Sequence, residues 1–215
     1  MGKVDSKKLL VLRSGETEWD AAGRVQGRVD LPICPTGASR VRADIAALSA
    51  PGTSPALATI FSAPDEASRE TARLLAEAVG ARLVVVPELR DVGLGLWEGL
   101  LYEDLERRFC RAGRLFLEDP RGITAPDGEA LADYAQRLDK SIFKLLRKVK
   151  PATAAAFVLR PIALGLVRCT LNQADVREMW GMVTDRPPAE WYELSKNDPR
   201  LSTGSSGLRR AHAAA

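Results

Sequence analysis

The sequence predicts an α/β fold, a three-layer α/β/α sandwich around a mostly parallel sheet. Three observations carry that prediction. Four short apolar runs have the length of buried strands, segments of helical periodicity separate them, and glycine, proline or small polar residues punctuate the joins. With 215 residues the chain is long enough for one large domain with its own core, and 46% hydrophobic and 27% charged residues are ordinary globular values.

The first strand is Leu9-Leu10-Val11-Leu12, four apolar residues that stop at Arg13-Ser14-Gly15. Leu31 to Gly37 turns into a helix carrying Val41, Ile45 and Leu48 at helical spacing to about Ser49, and 51–55 breaks the chain with two prolines and a glycine. Leu57 to Phe61 is the second strand, ending in Ser62-Ala63-Pro64. Asp65 to Val79 is a helix stopped by Gly80, and Leu83 to Val86 is the third strand. Leu89-Arg90-Asp91 and a glycine-rich run to Gly99 lead to a helix over about Tyr102 to Cys110. After a Pro/Gly-rich loop, Glu129 to Val149 is a long helix with an apolar stripe of Leu131, Tyr134, Leu138, Ile142 and Leu145. Ala154 to Leu159 is the fourth strand, and Arg160-Pro161 opens a helix to about Leu171. The segment from Trp180 to Leu194 is expected to be moderately ordered, without a sharp signal for one element. The domain is expected over 1–201, with a Ser/Gly- and Ala-rich flexible tail over 202–215.

Parallel topology sends the strand ends to one edge, where ligands gather in open α/β sheets. That edge should hold Arg13, Ser14, Ser62, the Asp91 loop and Arg160. Composition narrows the partners. A net charge of +3 from 31 basic and 28 acidic residues, with no dense basic run, argues against nucleic acid. No apolar run reaches membrane-spanning length, and no leader-like apolar stretch follows Met1. Three cysteines without paired spacing read as free thiols in a reducing, cytoplasmic compartment. The single histidine, His212, lies in the tail, so no metal centre and no cofactor is expected.

The stretch from Leu10 to Gly37, with Glu16-Thr17-x-x-Asp20 and Gly23-Arg24-x-Gln26-Gly27, resembles the opening of the histidine phosphatase superfamily, the phosphoglycerate-mutase-like fold. Members read Arg-His-Gly, Glu-Thr-x-x-Asn and Gly-Arg-x-Gln-Gly there. The resemblance, which extends to about Leu171, implies phosphoryl transfer through a phosphohistidine, with arginines holding the phosphoryl oxygens and an acid protonating the leaving group. It matches Arg13 to the first phosphate-binding arginine and Gln26 and Gly27 to a loop beside the site. Asp91 falls at the proton-donor glutamate, and Gly128-Glu129 at the start of the long helix. It also shows departures: Ser14 stands at the nucleophilic histidine, Ala67 at the second phosphate-binding arginine, and Arg160-Pro161 at the second His-Gly. Arg69 is two residues from position 67, on another side of its helix.

A serine hydroxyl is a weak nucleophile without a base, and a permanently protonated arginine cannot serve as one. The expectation is therefore a catalytically inactive protein of this fold that binds phosphate, a phosphorylated small molecule or a protein partner through Arg13, Ser14, Gln26, Gly27, Asp91 and Arg160. The alternative is phosphatase or mutase-type chemistry by a non-histidine route. Arg13 and Arg160 together should leave the pocket positive, with Asp91 as the nearest counter-ion, either paired to Arg160 or leaving it free for an anion. Separately, Cys34 and Arg40 have the C-x5-R spacing of cysteine-dependent phosphatases, but Pro35 removes a backbone donor from such a cradle and no strand leads into it. Chance is the better reading of that spacing.

Overall fold

The computed structural model describes residues 6–195, apart from 51, 53, 54, 151 and 152. Strands β1 (Ser6–Arg13), β2 (Leu57–Ser62), β3 (Arg82–Val85), β4 (Ala154–Leu159) and β5 (Ala189–Ser195) form one sheet in the order β3-β2-β4-β1-β5. The first four run parallel, and β5 lies antiparallel on β1 with Trp191 opposite Leu10. Alternation along the strands divides the core. Leu9, Val11, Phe157 and Leu159 face one layer of helices, while Leu10, Leu12, Ile60 and Val158 face the other. All six residues of β4 are buried, as its central place requires.

Helices α2 (Pro35–Ser49) and α3 (Glu66–Val79) cover one face. The first begins at Cys34, whose Sγ accepts from Gly37 N at 3.4 Å, with Pro35 at the first helical position. The second is capped by Asp65 and stopped by Gly80 at φ 67°. On the other face lie α4 (Tyr102–Glu118), α5 (Leu131–Lys148) and α6 (Pro161–Asn172), with the single turns α1 (Glu18–Ala21) and α7 (Gly181–Thr184) near the ends.

Three expectations change. The helix expected to stop at Cys110 continues to Glu118 past a corner, where Phe109 and Cys110 leave helical geometry and the chain folds back on itself. Gly113 permits that corner, since a Cβ there would lie 2.2 Å from the Leu105 carbonyl oxygen. The long helix starts at Leu131 rather than Glu129, because Glu129 N donates to Gly93 O at 2.7 Å and its carboxylate is held by Arg28 and Arg137. The segment without a sharp signal supplies α7 and β5. The expected tail at 202–215, with His212, lies outside the described residues. Among the described residues no helix is long and apolar enough to cross a membrane.

Candidate functional site

The carboxyl ends of β1, β2 and β4 meet at one edge, as expected from parallel topology. Arg13 N donates to Pro188 O and Ser14 N to Leu159 O, both at 2.8 Å, which sets Ser14 at the junction of β1 and β4. The chain then turns beneath α3, with Gly15 N donating to Thr71 Oγ1 at 2.8 Å. Ser14 is 3% exposed, and its Oγ is buried with no hydrogen-bond partner. The Nε atoms of Arg13 and Arg160 are in the same condition. Buried donors without acceptors are uncommon in native proteins, so three of them at one strand edge is a local signature.

Arg160 follows β4 directly and is 2% exposed. Its partner is Asp20, with Nη1 to Oδ2 at 2.9 Å and Nη2 to Oδ1 at 3.0 Å, a bidentate fork. Nη2 also donates to Gln26 Oε1, which accepts in turn from Thr17 Oγ1 at 2.7 Å. Asp20 reaches inward because it closes a capping box on α1, its Oδ2 accepting from Thr17 N at 2.9 Å. Burial disfavours the Arg160 charge, but the Asp20 carboxylate more than offsets it, so the guanidinium is held above its ordinary value.

Of the two alternatives for Asp91, a pair with Arg160 is not formed. Asp91 is 5% exposed, and its Oδ1 accepts from Val92 N and from the Tyr134 hydroxyl, both at 2.9 Å. Burial pushes its carboxyl up to about 6, against the attraction of Arg160 and those two hydrogen bonds. Asp91 is still close enough to Arg160 for each to act on the other. Asp65 belongs to the same group of charges, since it acts on both. Tyr102 joins them from α4, where burial raises its phenol and Asp20, Asp91, Arg160 and Arg13 all act on it. Arg160 is therefore not an uncompensated positive charge, since Asp20 pairs with it and Asp91 and Asp65 also act on it.

The other expected residues fall as follows. Gln26, 5% exposed, bridges Thr17 and Arg160. Gly27 is a hinge of its loop at φ 58°, where a Cβ would lie 2.3 Å from Glu98 Oε1. Ala67 is fully buried in the first turn of α3 and offers no charge, and Arg69 is exposed. Ser62 Oγ donates to Ala63 O at 2.8 Å. Cys34 caps α2 and lies 3.1 Å from Thr36 Oγ1, and Arg40 pairs with Glu16 on the surface at 2.5 Å, so the C-x5-R spacing builds no cradle.

Sequence reasoning missed Asp20, Asp65, Tyr102 and Arg168. For Asp20 a signal existed, because it stands where the resembled pattern has asparagine. The fully buried Arg168 had none. It donates to Met182 O at 2.7 Å and Pro187 O at 2.6 Å, which fixes the segment that supports Arg13. Among the described residues, no group of three or more His, Cys, Asp or Glu is arranged to hold a metal ion.

A family model described as the histidine phosphatase superfamily (branch 1) matches residues 9–204. Phosphoserine phosphatase 1 of Hydrogenobacter thermophilus is 25% identical over 178 residues, 83% of this chain and 82% of that protein. A probable phosphoglycerate mutase GpmB of Serratia proteamaculans is 26% identical over 164 residues, 76% of this chain and 74% of that protein. Among solved structures, Bacillus stearothermophilus YhfR superposes with a TM-score of 0.76 at 20% identity, covering 88% of this chain and 92% of that one. A mycobacterial glucosyl-3-phosphoglycerate phosphatase complexed with VO3 superposes with a TM-score of 0.73 at 22% identity, covering 91% and 94%.

Proposed function

The chain belongs to the histidine phosphatase superfamily, branch 1, and we propose that within it this protein is a non-catalytic member that holds a phosphate-bearing ligand without turning it over. The positions where the family's motif carries its two histidines hold Ser14 and Arg160. The observation that carries the reading is the environment of Ser14. Its hydroxyl has no hydrogen-bond partner, so no base is poised to take its proton. Arg160 cannot be that base, and Asp91 is engaged with Tyr134 and Val92. A non-histidine route through Ser14 therefore lacks its first requirement.

Binding is supported by three donors without a protein partner, Arg13 Nε, Ser14 Oγ and Arg160 Nε, all of them buried, so an anion must uncover them to bind. Affinity should be weak. Asp20 already neutralises Arg160, and an anion must compete with that pair. The test is steady-state hydrolysis of p-nitrophenyl phosphate. Wild-type protein is expected to match the buffer control, and Ser14→His, Ala67→Arg and Arg160→His combined should recover measurable turnover. Turnover by the wild-type chain that Ser14→Ala removes would overturn the reading.

A further inference from the structure

Away from the strand edge, the charges of the chain are unevenly placed. Residues 140–150 hold five basic and no acidic side chains, a surplus larger than the net +3 of the whole chain. Helical spacing gathers them, since Lys140, Lys144 and Lys148 recur every four residues on α5 and span about 12 Å of its axis. Leu138, Ile142 and Leu146 lie on the opposite side, in the core, so the lysines form the outer crest of the helix.

These three lysines, and Lys150 just beyond the helix, are exposed. Among the described residues none of the four forms an ion pair. On other surfaces Arg28, Arg40, Arg73, Arg107, Arg121 and Arg177 each pair with a carboxylate. The negative end of the helix dipole accounts for the cations of the last turn, Arg147 and Lys148, but Lys140 and Lys144 lie before that turn. Like charges four residues apart destabilise a helix, so the stripe does nothing for the fold.

We propose that this crest docks on an anionic lipid surface. Lysine is a compact charge that asks no fixed geometry of its acceptor, which suits mobile headgroups, whereas bidentate recognition of a fixed phosphate uses arginine. The exposed large apolar residues, Val85, Leu96 and Leu117, include no aromatic ring on which a nucleobase could stack. The apolar face of α5 is committed to the core, so the contact is electrostatic, without insertion. The basic end of α5 sits at the amino end of β1, where Lys7 Nζ donates to Leu146 O at 2.8 Å, while Ser14 lies beyond its carboxyl end. Docking there leaves the edge with Ser14 and Arg160 uncovered.

The experiment is co-sedimentation of the whole chain with vesicles of mixed phosphatidylcholine and phosphatidylserine, against pure phosphatidylcholine, at about 0.1 M and about 0.5 M salt. Wild-type protein should bind the mixed vesicles at low salt, leave them at high salt and ignore pure phosphatidylcholine. Each lysine near such a surface contributes about fivefold, so Lys140→Gln, Lys144→Gln and Lys148→Gln combined should weaken binding about 100-fold. Glutamine is as good a helix former as lysine, so the fold should be retained. Arg42→Gln, Arg108→Gln and Arg111→Gln combined remove the same charge from exposed positions of α2 and α4. That control should weaken binding less than about threefold, because distant charges are screened. Equal losses in the two variants would assign binding to overall charge and overturn the role of the crest. Failure to bind the mixed vesicles, or equal binding to both kinds, would overturn the lipid assignment. Binding to a short DNA duplex in place of vesicles, lost in the lysine variant, would also overturn it and assign the crest to nucleic acid.

Discussion

Arg160 and Asp20 lie 140 residues apart in sequence and form a bidentate pair with side chains 3% and 12% exposed. Removing one member of a buried pair leaves the other charge without compensation, at about 3–5 kcal/mol. The two removals are not equivalent here. Asp20→Ala strands Arg160 and also opens the Thr17 capping box, whereas Arg160→Ala leaves Asp20 nearer solvent and still bonded to Thr17. Urea unfolding should therefore show Asp20→Ala costing about 3–5 kcal/mol and Arg160→Ala less than half of that. Equal costs would mean that neither the deeper burial of Arg160 nor the Thr17 capping box adds to the loss of the pair. At this scale the placing of Ser14 and Arg160 at one sheet edge was legible, because each directly follows a short apolar strand. The partner of Arg160 was not, since an ion pair between distant segments leaves no local period. The one available hint lay in the resembled pattern, which has asparagine at 20 and histidine at 160.

Among the elements, the packing of α5 on α6 hides a second titrating group. Asp139 is 4% exposed, accepts from Thr170 Oγ1 at 3.2 Å through Oδ1, and has no partner for Oδ2. Burial pushes its carboxyl from 3.8 up to about 7. A carboxyl raised on folding makes the native chain bind a proton that the unfolded chain releases. Its contribution is full below about 4 and is lost as pH rises toward 7, so stability falls across that window. Asp139→Asn removes the titration and keeps an acceptor for Thr170. In urea titrations it should be more stable than wild type at pH 8 by on the order of 2 kcal/mol more than at pH 5. A difference independent of pH would show that Asp139 stays ionised in the fold. Element boundaries were legible where caps are strong, as at Gly80 and Pro161. They were not at the α4 corner, where Cys110 takes φ 40° with no glycine to announce the turn.

For the whole molecule, alternating strands and helices made the layers and the shared edge of the strand ends readable from the sequence. The order of strands was harder, and β5 was missed altogether. Its residues, Ala189-Glu190-Trp191-Tyr192-Glu193-Leu194-Ser195, are mostly half-buried on an antiparallel edge, so they carry neither a continuous apolar run nor a clean alternation. The sheet places Ser14 at the junction of β1 and β4, on the same edge as the Arg160–Asp20 pair. The most direct test of a scaffold that binds without reacting is a covalent trap. Wild-type chain is mixed with radiolabelled 3-phosphoglycerate, denatured rapidly in detergent, and its protein-bound label counted. No label above that of protein denatured beforehand is expected, whereas stoichiometric label that maps to Ser14 would contradict a non-catalytic pocket.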